Sequence, residues 1–147
     1  PPPAPLRLDV ADCFRSICPR LVERALLDLD VPIGARHPVL RALEGFASIG
    51  IPGLPVGPLP SAVLANAVLA GVDRALAGAR WLRWVDDVVL FASDPASLAG
   101  SEADVIRALG RIGLAPHPGK RRLAIGSEAA LRLALARASL GVGEGAG

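Results

Sequence analysis

The segment WLRWVDDVVLF, residues 81–91, sets two adjacent aspartates between apolar runs. A two-residue interruption between β-type runs reads as a hairpin turn. Asp tolerates the left-handed backbone that a tight hairpin needs, so one aspartate at the tip is ordinary. Two are not, because adjacent carboxylates repel. A cation held between Asp86 and Asp87, or between them and a third carboxylate, removes the conflict. Turn aspartates solvated by water would explain the same pattern more plainly.

The segment LRLDV, residues 6–10, reads as a second short strand, ending in a carboxylate. Pro19 can open a helix, and apolar residues continue it at helical spacing through Leu21, Val22, Ala25, Leu26 and Leu29. VPIGARHP breaks the pattern, and a further helix is expected over 37–46. Residues 50–60, GIPGLPVGPLP, are too rich in Gly and Pro for a helix or a central strand. Ser61 is the expected cap of a long, largely buried helix over 62–78. After the hairpin, Asp94-Pro95 closes the strand and 96–112 reads as an amphipathic helix. GLAPHPGK is a turn, RRLAI a short strand, and 127–140 a last helix. Residues 141–147 should fray. The resulting order, β-α-α-α-β-β-α-β-α, predicts an α+β fold. It is an antiparallel sheet of the ferredoxin-like, split βαβ kind with helices on one face.

Composition permits this. The chain of 147 residues is 52% hydrophobic but only 3% aromatic, so Leu, Val and Ala must build the core. One domain is expected, spanning 6–140. The net charge of +2 is a mild bias toward an anionic partner. There is no methionine, which suggests that Pro1 is not a natural start and that residues 1–5 are a linker or cut point. The longest apolar run, 62–72, is interrupted by Asn66 and is too short to cross a bilayer, so no membrane association is expected. Cys13 and Cys18 lack a second pair for zinc or a disulfide framework, as befits thiols in a reducing cytoplasm. If the 6–10 strand lies beside the hairpin, Asp9 approaches Asp86 and Asp87. Three such oxygen ligands suit Mg²⁺, and two ions would clamp an in-line phosphoryl displacement.

Four blocks in order resemble the palm domain of reverse transcriptases. LDVADCFRSI (8–17) is similar to the family's first catalytic block. GLPVGPLPSAVLANAVL (53–69) is similar to its Gly-Leu-Pro loop and following helix. WVDD (84–87) is similar to its aromatic-x-Asp-Asp hairpin, and GLAPHPGK (113–120) to its Gly-Leu…Lys block. The resemblance implies a palm-type fold and RNA-directed DNA polymerase chemistry: two-metal transfer from a deoxynucleoside triphosphate to a primer 3′-hydroxyl, with pyrophosphate release. It implies two Mg²⁺ ions, with Mn²⁺ able to substitute, and an RNA or DNA template with its primer. Asp9 and Asp86 would be metal ligands with the Val10 carbonyl, and Asp87 the neighbouring acid. Phe14 would lie under the incoming sugar and exclude a 2′-hydroxyl. The loop 53–60, with Pro55, Val56 and Gly57, would lie against the template and the new base pair. Lys120 would protonate the departing pyrophosphate. It is the one lysine among 16 basic residues, and an ammonium can release a proton where a guanidinium cannot. Arg83, Arg121 and Arg122 could touch phosphates, although solvated surface arginines are the simpler expectation.

Val56 stands where many members carry Gln, Trp84 where Tyr or Phe is usual, and His117 where Asn is usual. The pattern is closest to divergent bacterial members linked to phage defence, which leaves template use and priming open. Only PPPAPLR precedes the first block, where the family has its fingers, and no room follows for a thumb. An isolated chain of this kind is expected to polymerise poorly, needing those regions or a partner chain. Two rivals remain: a nucleotidyl cyclase of related architecture, disfavoured by the absence of its Gly-Gly-acidic turn, and a palm kept as a structural or nucleic-acid-binding module.

Overall fold

The computed structural model describes residues 5–123. Strand β1 (Leu6–Asp9) is followed by a short helix α1 (Cys13–Ser16), α2 (Pro19–Asp28), α3 (Ile33–Ser48) and α4 (Leu59–Ala75). The hairpin β2 (Arg80–Trp84) and β3 (Asp87–Phe91), helix α5 (Pro95–Arg111) and strand β4 (Arg122–Leu123) complete the described chain. The sheet order is β2-β3-β1-β4, with every pairing antiparallel. Each outer strand thus reaches its place by a helical crossover, and the central pair β3-β1 splits both crossovers. This is the expected α+β, split βαβ arrangement.

Alternation along the strands decides which face the helices cover. Leu6 and Leu8 pair with Leu90 and Val88, and all four are buried. Residues i and i+2 share a face, so these four form the floor on which the helices pack. Val72 and Leu69 of α4, Val22 of α2 and Val105 and Leu109 of α5 close that core from above. Each fully buried Leu or Val contributes about 1.5–3 kcal/mol of transfer free energy. The opposite face carries Arg7, Val89, Leu82 and Trp84, none of them fully buried.

Several boundaries differ from expectation for identifiable reasons. α3 starts at Ile33 and runs through Pro38, where a break at VPIGARHP and a start at 37 were expected. Pro38 forfeits one helical hydrogen bond. The helix nonetheless buries Leu43 and packs Val39 and Leu40 on the core, so tertiary burial wins. α4 begins at Leu59 with Pro58 as its cap residue, and Ser61 lies inside the first turn. Pro60 lacks only an N–H that the first turn leaves unpaired in any case. α5 starts one residue before the expected 96: the Asp94 carboxylate accepts from the Ser97 N–H at 2.8 Å, and Pro95 fills the first position. α1 was not anticipated, being only four residues long. The expected strand 121–125 is described only at Arg122–Leu123, and the helix 127–140, the first four residues of the expected linker 1–5 and the tail lie outside the described residues.

The Gly-Pro loop is anchored at its start. The Leu54 N–H donates to the Phe14 carbonyl at 2.8 Å, and Leu54 is buried. Gly53 has φ +76°, and a Cβ there would stand 2.4 Å from the Arg15 carbonyl oxygen. Only glycine permits that approach. Gly53→Ala should therefore cost about 2–3 kcal/mol of stability, measured by urea unfolding. Gly45→Ala, on an open helix surface with no atom near its added Cβ, should be neutral or stabilising by up to about 1 kcal/mol.

Candidate active site

The register places the acids before any side-chain argument is needed. Asp9 of β1 is the direct cross-strand partner of Asp87 of β3. One step further, the Val10 N–H donates to the Asp86 carbonyl at 3.0 Å. Hydrogen-bonded and non-bonded pairs alternate in an antiparallel ladder. Asp9 and Asp87 therefore form a non-bonded pair, the kind whose Cα atoms approach most closely, about 4.5 Å. Both acids are buried, at 5% and 6% exposure. Like charges directly opposite destabilise a sheet, and burial sharpens the conflict.

Two cations resolve it. Arg7 lies two residues before Asp9 and so on the same face. Its Nε and Nη2 donate to Asp87 Oδ1 at 2.9 and 2.8 Å. Lys120 Nζ donates to Asp9 Oδ1 at 3.0 Å. Lysine reaches that carboxylate because its loop is sewn to the end of β1. The Ala11 N–H donates to the Ala115 carbonyl at 2.9 Å, and the His117 N–H to the Asp9 carbonyl at 2.6 Å. Val10 and Pro116 form an isolated bridge between these bonds. His117 also accepts from the Gly119 N–H through Nδ1, which shapes the turn before Lys120.

The hairpin tip differs from the sequence reading. The two turn residues are Val85 and Asp86, flanked by the pair Trp84–Asp87, so Asp87 already belongs to β3. The left-handed residue is Val85, with φ +52°, not an aspartate. A β-branched residue there is a true conformational outlier. Arg83 holds the strained tip. Its guanidinium donates to both carboxylate oxygens of Asp73 at 2.7 and 2.6 Å, to Asn66 Oδ1 at 2.6 Å and to the Val85 carbonyl at 2.9 Å. Its side chain is 8% exposed. Arg83 is thus not a solvated surface arginine: it ties β2 to α4.

Cys13, at the start of α1, reports on the same corner. Burial pushes its thiol up to about 12, and the Asp86 and Asp9 carboxylates push the same way, while Arg83 opposes them. The two carboxylates therefore both bear on one buried thiol, which stays protonated. Cys18 is exposed.

Phe14 sits on α1, half-buried against the core, five residues beyond Asp9. Along the loop, Pro55 is half-buried, while Val56 is 83% exposed and Gly57 is exposed with φ +110°. Close backbone approach in this loop occurs at Gly53, and to α1. Arg121 pairs with Glu102 through Nε and Nη2 at 2.6 and 2.8 Å, and hydrogen bonding to Arg121 lowers the Glu102 carboxyl below its usual range. Arg122 is exposed and donates to the Arg121 carbonyl. The sequence reading missed Arg7, although period-2 alternation from Asp9 points to it. It also missed Asp73 and Asn66, whose partner lies across a turn and carries no local signal.

No protein-family model and no curated protein matches this chain. Whether these residues suit Mg²⁺ is a question of donor chemistry. Among the described residues, no group of three or more His, Cys, Asp or Glu side chains is placed to hold a metal. Mg²⁺ commonly takes only one or two protein carboxylates and completes its shell with water and substrate phosphate. Asp9 and Asp86, with the neighbouring Val10 carbonyl, are the oxygen donors that would meet that smaller requirement. Asp87, the neighbouring acid, accepts from Arg7 through Oδ1.

Arg83→Ala leaves Asp73 without its guanidinium and the tip without its anchor. It should lower stability by about 2–3 kcal/mol, read from denaturant unfolding, with Asp73→Ala adding little in the double mutant. Thiol titration of the folded chain with a disulfide reagent should detect Cys18 promptly and Cys13 only on unfolding.

Proposed function

We propose that this chain is the palm-type catalytic portion of a reverse transcriptase-like nucleotidyl transferase. Its substrates would be a deoxynucleoside triphosphate and a primer 3′-hydroxyl on an RNA or DNA template. One observation carries the reading: Asp9, the Asp86–Asp87 pair and Lys120, from blocks up to 111 residues apart, converge at one end of the sheet. Chance solvated aspartates would not be paired across central strands, nor meet the chain's one lysine.

Bound Mg²⁺ would supply the charge that draws the attacking hydroxyl oxygen and the α-phosphate together and stabilises the leaving pyrophosphate. The chain's own residues would do the rest. Asp9, at the end of β1, and Asp86, in the β2–β3 turn beside it, would present hard oxygen donors. Arg7 neutralises Asp87 and keeps the repulsion between neighbouring acids from splaying the strands. Phe14, half-buried beside that platform, would bound the sugar. Lys120 carries a proton at Nζ that a departing phosphate oxygen could accept. The exposed Val56 and Gly57 would face the template.

A second reading is favoured by the ion pairs themselves. Asp9 and Asp87 each already have a cation, so a palm retained as a nucleic-acid-binding or structural module would also be stable as built. Mn²⁺ titration of the chain, followed by electron paramagnetic resonance, separates the two. The enzyme reading expects saturable binding, reduced at least tenfold by Asp86→Ala and by Asp9→Asn. Binding that ignores both substitutions, or its absence, would sink that reading in favour of the non-catalytic module.

A further inference from the structure

The two counter-ions at the acid pair are not equivalent. Arg7 is held by two hydrogen bonds to one oxygen of Asp87, and its side chain is 23% exposed. Lys120 makes one contact to Asp9, with its side chain 56% exposed. A planar guanidinium bonded twice is a fixed partner, whereas a flexible ammonium bonded once from the solvent side can swing away. Asp9, at 7% side-chain exposure, cannot be left as an uncompensated buried charge without a large penalty. Its carboxylate therefore exchanges one cation for another rather than standing bare.

Resting on the function proposed above, we infer that the Lys120 ammonium is an internal competitor for the divalent ion at Asp9, and that metal binding and release of Lys120 from Asp9 are one exchange. The backbone bonds from Ala11 and His117 keep the lysine loop docked through the exchange, so only the side chain has to move. Ion entry thereby frees Nζ from the carboxylate and leaves it beside the site, available to an anionic phosphate. Before metal enters, the same contact holds the acid pair neutral and the strands together. Arg7 takes no part in the exchange, which leaves Asp87 silent toward metal.

The experiment is Mn²⁺ titration of the whole chain without nucleotide, comparing wild type, Lys120→Met and Lys120→Arg, with thermal melts to check folding. Lys120 is largely exposed, so all three should fold. Removing the competing charge should tighten Mn²⁺ binding about three- to tenfold, the scale of a partly exposed ion pair. Lys120→Arg keeps a cation and should bind no more tightly than wild type. Equal or weaker binding by Lys120→Met, with wild-type binding still lost in Asp86→Ala, would overturn the exchange and leave the proposed function standing. Failure of every variant to bind Mn²⁺ would overturn both.

Discussion

Two buried carboxylates facing each other across the central strands are the constraint around which this molecule is arranged. A sheet does not ordinarily set like charges at a non-bonded pair, where side chains approach most closely. The pairing of Asp9 with Asp87 is tolerable because each acid has a cation of its own, Asp87 that of Arg7 across on β1 and Asp9 that of Lys120 from a distant loop. The fold beyond the acids can be read as what delivers those cations. β1 must carry an arginine two residues before its acid. The loop after α5 must return to the end of β1 and be fastened there by backbone bonds.

The core and the site divide the central strands between them. Leu6, Leu8, Val88 and Leu90 face the helices, and Arg7, Asp9 and Asp87 face the other way. A one-residue slip in register would exchange the two sets. The hydrophobic floor therefore does more than stabilise the sheet: it fixes which acids meet. Arg83 does the same for the tip, on the other side of β3, by tying the turn to α4.

Much of this was legible in the residues. The short apolar runs marked β1 and the hairpin, the amphipathic spacing over 96–112 marked α5, and the order of elements gave the split βαβ arrangement. The approach of Asp9 to the doublet was expected on the condition that the 6–10 strand lies beside the hairpin, and β1 does pair with β3. Other features were hidden because they depend on contacts between distant segments. Pro38 looked like a breaker because the burial of Leu43 was not visible from sequence. The turn looked like Asp-Asp because a left-handed Val85 runs against every local preference. Arg83 looked like surface because Asp73 and Asn66 lie 10 and 17 residues away in sequence, on another element. The fastening of the Gly-Pro loop to α1 at Gly53 likewise needs two segments that lie far apart in sequence.

The left-handed valine has a consequence for aim. A glycine at 85 would adopt that backbone in comfort and would also let the hairpin tip pivot. Valine, stiff at its branched carbon and held by the bond from Arg83 to its own carbonyl, denies the tip that latitude. The neighbouring acid is consequently pointed by a spring under load, rather than by a hinge left to swing.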